Sequence, residues 1–80
     1  MYEWIMERIA DQRVKIYLQG SLGPEYRPMH GHFVRDPIPR SISEISRGAA
    51  VAEWRLRGCL KRLTRRDVVS QDGDKWKIVR

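Results

Sequence analysis

The stretch SISEISRGAAVAEWRLRGCLKRLTRRDVVSQDGDKWKIV, residues 41–79, decides the fold. It opens with Ser41-Ile42-Ser43-Glu44, the capping-box pattern, in which the Ser hydroxyl accepts from the N3 amide and the Glu carboxylate accepts from the N-cap amide. A short helix starts here, and Arg47-Gly48-Ala49-Ala50 offers a glycine and small residues for a tight turn into a second one. That second helix, over about Ala52 to Arg65, places Leu56, Cys59, Leu60 and Leu63 on one stripe, which is core. Its opposite side holds Trp54, Gly58, Lys61 and Arg65, with Arg57 and Arg62 flanking. Between Val51 and Arg66 there are six bases and one acid.

Beyond the helix, Val68 and Val69 begin a strand, Asp72-Gly73 is a hairpin signal, and Lys75 to Val79 return with alternation. Trp76 and Ile78 share the face expected to press on the helices, which leaves Lys75 and Lys77 pointing outwards.

Upstream the reading is coarser. Residues 20–40 contain Gly20, Gly23, Gly31, Pro24, Pro28, Pro37 and Pro39, so an extended loop is expected. Within it, His32, Phe33, Val34 and Ile38 allow a short edge strand interrupted at Pro37. His30 and His32 form an H-x-H pair with no third ligand at metal spacing, and read as ordinary loop histidines. Residues 2–18 read as an amphipathic helix with Tyr2, Ile5, Ile9 and Ile16 on its apolar face, although Val14, Ile16 and Leu18 also alternate as a strand would. A second stripe, Met6, Ala10 and Tyr17, suits either packing by the following loop or a homodimer seam through residues 2–18.

Eighty residues make a single domain whose modest core makes a dimer worth expecting. Its parts are 1–19 (helix), 20–40 (loop), 41–66 (two helices and their turn) and 67–80 (hairpin). The 16 Lys and Arg against 10 Asp and Glu give +6 and a pI near 10.1, a balance that points to a polyanionic partner. Residues 1–40 carry six bases and five acids (+1) and residues 41–80 ten and five (+5), so an anionic partner meets the second half. One cysteine, no basic leader and no long apolar run point to a cytoplasmic, DNA-associated protein without a membrane span.

The segment 41–79 resembles the winged helix-turn-helix superfamily of DNA-binding domains. The short helix around Ser41 to Ser46, the turn, a second helix ending Leu60-Lys61-Arg62-Leu63, the Val-Val strand and the hairpin arrive in that order, and the step from Ile45 to Leu60 matches its register. The departures are Ala50 and Asp67, where the family often has Gly, and a loop before the helix at Ser41 that is longer than usual. The resemblance implies an α+β domain, three helices with a C-terminal two-stranded wing, that binds duplex DNA, with helix 52–66 in the major groove. It places Arg55 and Arg57 at guanine edges and Lys61, Arg62 and Arg65 on phosphates, with Arg47 also on the DNA side and Lys75 and Lys77 on the wing reaching the backbone or minor groove.

Other readings stand beside this one. A run of bases is commonly a solvated face, and a winged helix can dock an acidic protein partner. Trp54 suits three partners: the 20–40 loop, DNA, or a protein interface. Cys59 reads as a small buried apolar residue. No catalytic grouping, metal site or cofactor loop is legible, so a sequence-specific DNA-binding regulator, and not an enzyme, is expected.

Overall fold

A computed structural model describes residues 3–79. Helix α1 (Glu3–Gln19) leads into a hairpin of β1 (Leu22–Met29) and β2 (His32–Pro37); a short strand β3 (Arg40–Ser41) then precedes α2 (Ile42–Ala49), α3 (Glu53–Arg65), β4 (Val69–Asp72) and β5 (Lys75–Ile78). The fold is α+β, with three helices and two antiparallel sheets, β1-β2 and β3-β5-β4.

The capping box forms: the Glu44 amide donates to Ser41 Oγ at 3.3 Å and the Ser41 amide donates to Glu44 Oε1 at 3.2 Å. The Ser41 amide bond, with Arg40 Nη1 donating to the same carboxylate at 3.0 Å, holds the Glu44 carboxyl below its ordinary range. Leu56, Cys59, Leu60 and Leu63 of α3 are buried as the stripe predicts, against Ile45 and Ala49 of α2, Val51, Val69 and Ile78. Trp76 packs on the same core, so β5 turns the side expected of it towards the helices.

Four features depart from the sequence reading. The first helix extends to Gln19, but its core face is Ala10, Val14 and Leu18, and the stripe Ile5, Ile9 and Ile16 lies in solvent; Tyr2 is outside the described residues. Residues 22–37 form a hairpin where a loop is expected. Both of its strands are edges, where a proline's missing N–H can face solvent, and the two-residue turn His30-Gly31 has positive φ at both positions, 51° and 79°, as a type I′ turn needs. Gly48 lies inside α2, because the Tyr17 ring packs where its β-carbon would be, and the turn that follows is made by Ala50 to Ala52. The C-terminal hairpin pairs Asp72 with Lys75, so its turn is Gly73-Asp74, one residue later than the Asp72-Gly73 signal, with Gly73 at φ 65°.

Ala50 and Asp67, the positions where the resemblance leads one to expect glycine, both take left-handed backbone. Ala50 closes α2 at φ 57° and Asp67 follows α3 at φ 60°, both left-handed. Asp tolerates this conformation, whereas Ala meets a Cβ–carbonyl clash of about 1–2 kcal/mol. Ala50→Gly should therefore stabilise the fold by about 1 kcal/mol in urea unfolding. Gly48→Ala should do the reverse: helix propensity would gain about 1 kcal/mol, but collision with Tyr17 costs about 1–3 kcal/mol. Because Glu44 is held below its unfolded value, its contribution is present above the unfolded pKa and disappears as pH falls through the folded one. The melting temperatures of wild type and Glu44→Gln, separate at neutral pH, should converge in acid.

Candidate nucleic-acid interface

With its apolar stripe fixed in the core, α3 has two flanks, and its bases divide between them. One flank meets α1, whose Glu3, Glu7 and Asp11 recur every four residues along a single face. Arg62 donates from Nε and Nη2 to the two Asp11 carboxylate oxygens at 3.0 and 2.9 Å, and its Nη1 is 3.8 Å from Glu7. Arg55 lies 3.9 Å from Glu3. The bond to Asp11 raises the Arg62 pKa further above its already high value, so this cation is permanent. Cys59 sits beneath the pair with Arg62 Nη2 at 3.5 Å; burial, with Asp11 next in importance, pushes its thiol up to about 12. It is protonated at neutral pH and unsuited to redox sensing.

The other flank opens onto the three-stranded sheet. Arg57, Lys61 and Arg65 succeed each other at four-residue intervals and, among the described residues, none has a carboxylate within 4.0 Å. They edge a groove of about 700 Å³ with Ile42, Leu60, Thr64, Gln71 and Trp76. Two buried polar atoms, Thr64 Oγ1 at the groove and Arg40 Nε on the strand residue paired with Trp76, lack a partner among the described residues. Unneutralised cations beside polar donors and an apolar floor suit a polyanion with flat or methylated edges.

The remaining predicted residues lie around this flank or away from it. Lys75 and Lys77 alternate with Trp76 and so stand on the face of β5 turned from α3, with Lys75 exposed beside the Gly73-Asp74 turn. Arg47 is exposed in the last turn of α2. Trp54 is 71% exposed at the start of α3, and the Arg55 guanidinium stacks over its ring at 4.6 Å. Gly58 has only the flexible end of Arg62 near its β-carbon position, at 3.4 Å, so it flattens the helix surface there and no other backbone of the described residues packs on it. His30 and His32 are exposed at the far turn of the β1–β2 hairpin.

No family model, curated protein or solved structure matches this chain.

Sequence reading takes the six bases of residues 51–66 as one exposed set, and the structure separates the five that lie in α3. The signal for Arg62 was the acid spacing in α1, which matters only once α1 is known to cross α3. Ile42, Thr64, Gln71 and Trp76 were not anticipated as groove residues. Trp76 was already on the correct side of β5, but nothing local says that this side borders the basic row.

The paired flank is structural. Asp11→Asn should cost about 1–2 kcal/mol, discounted for the partial exposure of the pair. Cys59 should resist a thiol reagent in native buffer and react fully in denaturant; native reaction at the denatured rate would contradict its burial.

Proposed function

We propose that this chain is a winged helix-turn-helix domain that binds double-stranded DNA, with α3 in the major groove and the β4–β5 hairpin as the wing, and that it serves as a small sequence-specific transcriptional regulator. The observation that carries the reading is the row Arg57, Lys61 and Arg65 beside the wing, unpaired among the described residues, in a domain that pairs Arg55 and Arg62 with acids of α1. The succession α2, turn, α3, strand and short hairpin agrees with what the resemblance implies, and the pI near 10.1 supplies the long-range attraction.

Roles follow from position. Arg57, one turn into α3, suits guanine O6 and N7, worth about 1–3 kcal/mol of discrimination. Lys61 and Arg65, further along, suit phosphates, as does Lys75 at the wing. Arg55 and Arg62 hold α1 and act on DNA only through the placement of α3. A second reading, docking of an acidic protein through Trp54, is supported by the 71% exposure of that side chain at an edge of the basic flank.

The test is fluorescence anisotropy of a labelled duplex against salt. If four to six phosphates are neutralised, log K falls against log salt with a slope of roughly −4 to −5, and Lys61→Ala reduces that slope by about 1 on every sequence. Absence of binding at low salt overturns the reading and leaves the protein-docking one. Trp54→Ala separates the two, abolishing partner capture while weakening DNA binding less than Arg57→Ala does.

A further inference from the structure

Strand β5 lies between β3 and β4, and the pairs Arg40↔Trp76 and Gln71↔Trp76 set these three side chains in a row on one face of the sheet. The groove beside α3 therefore has two unlike walls. One is the helix, with Arg57, Lys61 and Arg65 along its rim over about 12 Å at 1.5 Å per residue. The other is the Trp76 indole with Gln71, and Ile42 and the 2% exposed Leu60 form the base.

A duplex needs only the rim. Phosphates meet cations at the ends of long side chains, and a duplex resting there is too broad to reach Leu60. The interior is suited to something narrower. Its volume, about 700 Å³, lies within the roughly 300–1,000 Å³ of small-molecule sites, which combine an apolar lining with a few placed polar groups. Lys61, Thr64 and Arg65 stand at i, i+3 and i+4 and so share one side of α3. Neither cation has a carboxylate within 4.0 Å, and the covered Thr64 hydroxyl has no hydrogen-bond partner, among the described residues.

We propose that this groove binds a small aromatic carboxylate. Its ring lies on the Trp76 indole above Leu60 and Ile42, and its carboxylate is held by Lys61 and Arg65 and accepts from Thr64 Oγ1. Both halves of the ligand are required: an inorganic anion leaves the indole and the apolar base unused, and an uncharged ring leaves the cations without a counter-charge. The carboxylate takes the same cations that are assigned above to phosphates, so ligand and DNA exclude each other. That consequence rests on the DNA reading; the ligand site does not.

The experiment is an NMR titration of the labelled full chain, without DNA, with β-naphthoate. Two controls run beside it: inorganic phosphate, with charge and no ring, and β-naphthylmethanol, with the ring and no charge. For a ligand of about a dozen non-hydrogen atoms the expected dissociation constant is about 1 mM, with both controls about tenfold weaker. Shifts should saturate at the Trp76 indole and the Leu60 and Ile42 methyls. Arg65→Gln should raise the dissociation constant about fivefold, and Thr64→Val, which keeps the side-chain shape, about threefold. No saturation up to about 20 mM, a control that binds equally well, or shifts centred on Trp4, Trp54, Tyr26 or Phe33 overturns the proposal. A labelled duplex then reads the consequence: β-naphthoate near its dissociation constant should release it, where acetate at the same concentration does not. A duplex that binds while β-naphthoate does not overturns the ligand site alone. Binding of β-naphthoate without any duplex binding overturns the DNA reading and upholds the site, and binding of both without competition overturns their mutual exclusion.

Discussion

The way α3 is rotated about its own axis governs the rest of the molecule, and two interactions fix that rotation. The stripe Leu56, Cys59, Leu60 and Leu63 directs one side inward. The bidentate pair between Arg62 and Asp11, supported by Glu7, then clamps the adjoining flank to α1. Rotation by one residue would bring the carboxylates of α1 opposite the wrong side of the helix and would move a cysteine or leucine out of the core. Everything the opposite flank offers follows, since Arg57, Lys61 and Arg65 are left at the groove beside the sheet with no carboxylate partner among the described residues.

Charge in this small domain is consequently sorted by sign and place. Asp11 pairs with Arg62 between α1 and α3, with Glu7 and the exposed Glu3 near Arg62 and Arg55 at its margin, Glu44 is occupied with its cap and Arg40, and Asp36 with Arg27. An even scatter of the same residues would give a solvated surface; the observed sorting gives a basic edge beside a groove. The α1 acids serve stability, and by doing so they leave the other flank positive.

Legibility in the sequence tracked how local the deciding physics is. The capping box, the α3 stripe and the C-terminal hairpin depend on residues within a few positions of each other, and they appear where the sequence places them, the hairpin turn displaced by one. The β1–β2 hairpin was hidden by Pro24, Pro28 and Pro37, which argue against an interior strand but are tolerated in a two-stranded ribbon where both strands are edges. The inward face of α1 was hidden for another reason. Ile5, Ile9 and Ile16 are more apolar than Ala10, and periodicity identifies a stripe without saying what covers it. Ala10, Val14 and Leu18 were available as an alternative stripe, and only the packing of α2 and α3 against α1 selects between them. The division of the α3 bases was illegible for the same reason, because it depends on carboxylates some fifty residues away.

If the chain binds DNA as proposed, the α3 flank beside the sheet, and not the outer face of α1, is the side that meets it. The most direct test is a backbone and tryptophan-indole NMR titration of the labelled protein with a short DNA duplex. Shifts are expected to concentrate at Arg57, Lys61, Arg65, Gln71 and the Trp76 indole, with Ile5, Ile9 and Ile16 unmoved. Shifts confined to α1 or the β1–β2 hairpin, or none at all, would contradict it.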